Sequence, residues 1–204
     1  MATDKIAWYT PESAPYGKTY GHWTMEWWQW ILGIPKAANP VVDRTGELAK
    51  NNQIGSSVLF LAGKLADEKR DQPTRRCTVS ADQSILIPVI NCESNPLERP
   101  DLKTENEIIE QVRKDENTIT QMECTVDGNF IPVQRVPSDP LIFELRLVPD
   151  NIFGVEGGGL TYASADGYWV FLKPLPKGNH IVSFRGSCEN SRLHSGAVYH
   201  IEVC

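Results

Sequence analysis

The side chains best suited to chemistry in this 204-residue chain are its histidines and the acids near them. His22 and Glu26 stand four apart within "GHWTMEWWQWILGIP", so a helix would stack them on one face. That spacing fits two ligands of a divalent metal or an acid–base pair, and equally a solvated ion pair. The neighbouring sequence supplies neither a third ligand nor a nucleophile. His180, His194 and His200 belong to the C-terminal hairpin, where three histidines permit a surface metal site. The candidate metal ligands are therefore His22, Glu26, His194 and His200, and the expected cofactor is either none or a divalent metal held there. His194 follows Cys188 by six residues in a loop, without the local signature of a catalytic Cys/His pair.

Other chemistries find less in the sequence. "GVEGGGLTYASADGYW" is glycine-rich, but it leads into a strand, and a phosphate cradle needs a helix N-terminus behind it. Asp150, Glu156 and Asp166 border that loop with oxygens suited to calcium, in no recognised ligand spacing. G-x-S-x-G, H-E-x-x-H and C-x-x-C are all missing, and nothing singles out two facing carboxylates. A metal-assisted enzyme with a His/acidic site is the alternative reading of the chain, not the leading one.

Tryptophan carries the strongest signal. Four of the six tryptophans fall between residues 23 and 30. On a helical wheel Trp23, Trp27, Trp30, Ile31 and Ile34 share one face, while Trp28 and Leu32 lie well round the cylinder. The apolar arc then covers about 200°, roughly twice the stripe that a helix needs to rest on one surface. Four tryptophans bring about 600–1,000 Å² of surface, whereas a monomer's largest apolar patch is about 300–600 Å². Most of the face must be buried, most simply by packing against the β body. Trp28 and Leu32 are left over, to be covered by Trp8 or Tyr9 of the N-terminal arm or by a second subunit. An exposed tryptophan would also serve as a platform for a sugar ring. Membrane adsorption is disfavoured, because His22, Glu26 and Gln29 form a polar strip without lysine or arginine.

The elements that would position these residues follow from periodicity and turn chemistry. Residues 1–18 read as an irregular arm and 19–33 as the tryptophan helix, capped by Thr19 and closed by Gly33. Residues 104–120 read as a charged surface helix opened by a Thr104/Glu107 capping box. The rest is strand: "SVLFLAGKL", "RRCTVSA", "SILIPVINC", "LIFELRLV", "GYWVFLKPL", "NHIVSFRGS" and "GAVYHIEV". "SILIPVI" and "GYWVFLKPL" are apolar on both faces, as strands covered on both sides would be. Asp127-Gly128 predicts a type I′ hairpin turn. Short strands at this density predict a mainly β chain, a single β-sandwich domain over 1–204, jelly-roll or immunoglobulin-like.

Composition narrows the classes. A net charge of −6 argues against a nucleic-acid binder, which needs a basic stripe. Five scattered cysteines read as reduced thiols. No segment reaches the roughly 20 apolar residues of a spanning helix, and no apolar leader opens the chain, so the expected location is cytoplasmic.

The stretches "YGKTYGHWTMEWWQWILGIPKAANPVVDRTG", "VLFLAG", "CTVSADQSILIPVIN" and "DGYWVFLKPLPKGNHIVSFRG" together resemble a family of uncharacterised prokaryotic proteins with a Trp-rich start and a β-rich body. The closing strands are also similar to the last hairpin of immunoglobulin-like sandwiches. The family resemblance implies one domain and carries no established activity. Some members bear signal peptides, so it also implies export for those relatives. The function expected from all this is a non-enzymatic binding or assembly protein, homo-oligomeric through an aromatic patch of Trp28, Leu32, Trp8 and Tyr9. Its expected partners are a second copy of itself and a carbohydrate or small-molecule ligand, a carbohydrate-binding module being a further alternative.

Overall fold

Strands hold 38% of the residues and helices 16%, which makes the chain mainly β. The computed structural model describes residues 6–53, 55–188 and 193–204. One sheet runs β1 (Val58–Phe60), β3 (Ser84–Ser94), β8 (Gly159–Leu172), β6 (Gln134–Arg135), and β7 (Phe143–Leu147) also pairs with β8. The other runs β2 (Thr74–Val79), β10 (His194–Val203), β9 (Gly178–Cys188), β4 (Ile119–Val126), β5 (Asn129–Phe130). Both sheets are mixed, because β1 lies parallel to β3 and β2 parallel to β10.

Side-chain alternation makes the first sheet a middle layer. From β3, Ile85, Ile87 and Val89 join Val182, Phe184, Tyr199 and Ile201 of the second sheet in one apolar cluster. Leu86 points to the opposite side. On β8, Val170 and Leu172 belong to that inter-sheet cluster, while Trp169 and Phe171 belong to a second one containing the tryptophan helix. A period of two puts neighbouring residues on opposite faces, and both faces of this sheet are dry. That is why these strands read as unbroken apolar runs.

The tryptophan helix, α1 (Tyr20–Leu32), has the predicted ends: Thr19 Oγ1 accepts from His22 N at 3.1 Å, and Gly33 closes it. It packs on the outer face of the middle sheet and does not enter the inter-sheet core. Trp27 meets Trp169 edge-on at 5.5 Å, and Trp23 meets Phe171 at 5.9 Å. Three indole N–H groups find carbonyls: Trp23 on Pro15 at 3.0 Å, Trp27 on Leu61 at 2.7 Å and Trp30 on Asn51 at 2.8 Å. Phe143, Leu145 and Leu147 of β7 complete the same cluster.

The second helix, α2 (Glu105–Glu116), opens with the expected capping box, but it stops short of residue 120. Ile119 already pairs with Cys188 of β9, because the β-branched run Thr118–Thr120 suits a ladder better than a helix. Asp127 and Gly128 have φ of 53° and 78°, the two left-handed residues of a type I′ turn. Of the arm, Tyr9 N donates to Phe171 O at 2.8 Å and Trp8 bridges Leu172. Residues 1–5 of the arm and 189–192 of the expected polar loop lie outside the described residues. His194, expected in that loop, is the first residue of β10. Among the described residues no helix is long and apolar enough to cross a membrane.

Candidate functional site

The site arises from a mismatch in strand length. β1 stops at Phe60 while β3 continues to Ser94, and the chain after β1 crosses to the second sheet, where Lys64 N donates to Gly196 O at 3.1 Å. A bulge between Pro88 and Ile90 disturbs β3 at the same point, and Pro88 has no N–H to offer a neighbour. Beside this edge lies a cavity of about 540 Å³. Trp27, Trp28 and Ile31 of α1 form one wall, with Ile152 and Phe153 near them. Asn91, Cys92 and Glu93 of β3, Glu98, and Asp115 and Glu116 at the end of α2 supply the polar part. An apolar wall facing a few polar groups is the usual character of a small-molecule site.

Burial favours the neutral form of two acids here, Glu116 and Glu93. Glu116 is 0% exposed, and burial pushes its carboxyl up to about 8, helped by the charges of Asp166 and Asp115. Its Oε2 accepts from Cys92 Sγ at 3.2 Å; its Oε1 is buried and has no partner among the described residues. Burial also raises Glu93 well above the carboxylate range, and the Glu98 charge adds to that. Asn95 Nδ2 lies 3.0 Å and 3.3 Å from the two Glu93 oxygens. Desolvation raises Glu98 too. Burial and then the Glu116 charge drive the Cys92 thiol far up, so it serves as a donor and not as a nucleophile.

Two more buried polar atoms stand unpartnered in the same walls: Trp28 Nε1 and Asn91 Nδ2. A buried donor without an acceptor costs about 1–3 kcal/mol, a cost that a ligand bearing an acceptor would remove here. Tyr20 Oη, Ser94 Oγ and Trp169 Nε1 are likewise unpartnered among the described residues but lie away from the cavity. Asp166, facing Cys92 across the β3–β8 ladder, is by contrast fully engaged. Arg135 Nε and Nη2 both donate to its Oδ2, at 3.0 Å and 2.8 Å.

The residues expected from sequence to form a site fall in four places. Trp28 is 6% exposed and Leu32 0%, so the chain itself covers the part of the arc that a second subunit was expected to cover. The cover does not come from Trp8 or Tyr9, which lie along the end of β8. Trp28 instead packs edge-on against Trp27 at 5.0 Å and shares the cavity wall with Ile152. His22 Nε2 does approach Glu26 Oε1, at 3.2 Å, but Lys18 Nζ occupies the same oxygen at 2.5 Å, an ion pair where a metal was considered. His194 and His200 are six residues apart along β10, about 20 Å at strand rise, so they cannot share a metal ion. Among the described residues no three His, Cys, Asp or Glu side chains are grouped to hold a metal.

Sequence reasoning missed Glu93, Glu98 and Glu116. Two signals were there to be read. Ile108, Val112 and Glu116 stand at i, i+4 and i+8 and are the buried residues of α2, so a glutamate occupies the helix's apolar stripe. Glu93 likewise closes a strand that is apolar on both faces. A second hollow of about 530 Å³ lies beside Glu123, Arg185 and His194, but its polar side chains are open to water and Arg185 already pairs with Glu123 at 3.0 Å. Comparison with protein-family models, curated proteins and solved structures finds no match to this chain.

Proposed function

We propose that this chain is a non-enzymatic binding protein, a single sandwich domain with the tryptophan helix as a third layer, whose ligand is a small molecule seated in the cavity beside β3. The observation that carries this reading is the coincidence of an apolar cavity of about 540 Å³ with buried, unpartnered polar atoms on Trp28 and Glu116 in its walls. Unpartnered atoms also occur outside the cavity, on Tyr20, Ser94 and Trp169, and what sets Trp28 and Glu116 apart is that theirs adjoin open space a ligand would fill. Binding is favoured over catalysis because burial holds the Cys92 thiol protonated and, among the described residues, no metal-binding group of side chains converges there. Self-association through Trp28 and Leu32 receives no support from their burial, and a sugar platform would need an indole face open to solvent.

The test is a small-molecule panel read by tryptophan emission and thermal shift. Leu65 lies on the cavity rim and is 44% exposed, so Leu65→Trp should block entry without disturbing the core. A saturable ligand whose binding is lost in Leu65→Trp, at an unchanged melting temperature, supports the reading. A panel without a saturable ligand, or a ligand indifferent to that substitution, overturns it.

A further inference from the structure

The cavity's charges do not balance. Four carboxyls line it, from Glu93, Glu98, Asp115 and Glu116, against two cations, Lys64 and Arg99. Arg99 is committed to Asp115 at 2.8 Å. Lys64 is committed outside the cavity, to Asp67 and to Asp71. Glu93, Glu98 and Glu116 therefore lack an ion-pair partner among the described residues; Glu93 and Glu116 are buried, which favours their protonated forms, while Glu98 stands exposed beside them. A buried acid without a counter-charge is what a cation would displace a proton from, because an opposite charge nearby favours the ionised form. The remaining wall is aromatic, and the face of an indole attracts a cation as well as an apolar body. An anionic ligand would meet the opposite: carboxyls on one side and, among the described residues, no uncommitted cation on the other.

Resting on the cavity reading above, we infer that the ligand carries a cationic nitrogen on an apolar body, the nitrogen seated against Glu93, Glu98 and Glu116 and the body against Trp27, Trp28 and Phe153. Glu116 Oε1, buried and without a donor, accepts from the nitrogen. Trp28 Nε1 and Asn91 Nδ2 need acceptors, so an oxygen on the body, such as a hydroxyl or an amide carbonyl, completes the match. Binding of this kind releases protons from the site. The groups facing Glu116 are Cys92 on β3, Asp166 on β8, Arg135 on β6 and Asp115 on its own helix, and Arg135 is already spent on Asp166. Affinity for the cation therefore rises as pH approaches the range in which Glu116 ionises.

The experiment compares three probes with one body: 3-phenylpropylamine, 3-phenylpropanol and 3-phenylpropionate, titrated into the full chain with tryptophan emission as the readout. The amine is expected to bind at least about tenfold tighter than the alcohol, with the carboxylate weakest. Its affinity should grow between pH 6 and pH 8, as pH rises toward the Glu116 value of about 8. Glu116→Gln, and independently Glu93→Gln, should cut amine affinity about tenfold and leave the alcohol unchanged. If the alcohol or the carboxylate binds as tightly as the amine, the cationic inference falls while the cavity reading stands. If none of the three binds at millimolar concentration, both fall.

Discussion

Two ionisable side chains of this molecule are buried to the same extent and treated in opposite ways. Arg75, in β2, is 1% exposed; Glu116, at the end of α2, is 0% exposed. The guanidinium is saturated: Nε donates to Asp43 O at 2.8 Å, Nη1 to Ala62 O and to the Tyr199 hydroxyl at 2.9 Å, and Nη2 reaches Val41 O at 3.4 Å. The parallel β2–β10 pairing sets Arg75 beside Tyr199, so the ladder itself delivers one of these partners. Arg75 thereby ties Val41, Asp43 and Ala62 to the second sheet. Glu116 has a thiol on one oxygen and nothing on the other. Burial of an ionisable group is therefore not what marks the proposed site; unmet hydrogen-bonding capacity beside open space is.

The largest expected effect tests the structural half of this contrast. Arg75→Met keeps bulk and removes every donor, which strands several buried carbonyls and should cost about 3–5 kcal/mol of stability in denaturant unfolding. Arg75→Lys should rescue little of it, because one ammonium cannot reproduce the planar fan. A loss below about 1 kcal/mol for the methionine variant would remove the distinction between the two charges.

Glu116→Gln tests the other half and carries the opposite sign. The carboxyl's folded pKa is about 8 against an ordinary 4.5, so between those values the folded state holds a proton that the unfolded state has released. Stability contributed by this group is complete below the lower value and is lost as pH rises through the window, at up to about 1.4 kcal/mol per pH unit. Glutamine titrates nowhere in this range. The variant should thus be more stable than the parent by about 1–3 kcal/mol at pH 8, with a shallower fall in melting temperature between pH 5 and pH 8. Glu93 and Glu98 shift in the same direction and will keep part of the slope. Destabilisation by Glu116→Gln at pH 8 would show that Glu116 is a structural group after all.

What was legible in the sequence divides along the same line. Local chemistry was legible: the Thr19 and Thr104 caps, the Asp127-Gly128 turn, and the two-faced burial of β3 and β8 each follow from a few adjacent residues. The end of α2 was misplaced by four residues because Thr118–Thr120 favours the β4 ladder only once β9 lies alongside. The cavity depends on β1 being three residues long beside an eleven-residue β3, a pairing between segments more than twenty residues apart that no local pattern encodes. The aromatic face was legible as buried, yet its cover was sought in the arm or in another subunit. It comes instead from segments around Ile152 and β7, distant in sequence and close only after the middle sheet forms. Glu116 on its apolar stripe and Glu93 in its apolar strand announced the site, and each did so by breaking a pattern.

The smallest expected effect compares two adjacent tryptophans that share one environment. Trp27 and Trp28 are 4% and 6% exposed and pack edge-on at 5.0 Å, but the Trp27 N–H donates to Leu61 O at 2.7 Å while the Trp28 N–H has no acceptor. Replacing either by phenylalanine removes similar volume, so the packing losses should nearly cancel in the comparison. What remains is the hydrogen bond. Trp27→Phe strands the Leu61 carbonyl, whereas Trp28→Phe removes a donor that was unsatisfied from the start. Trp27→Phe should therefore be the more destabilising by about 1 kcal/mol in urea unfolding. In a ligand titration the order should reverse: Trp28→Phe loses the donor that the ligand satisfies and weakens binding severalfold, while Trp27→Phe leaves that donor in place. Equal stability losses would mean that the Trp28 N–H is satisfied in solution, and the strongest single mark of the site would be gone.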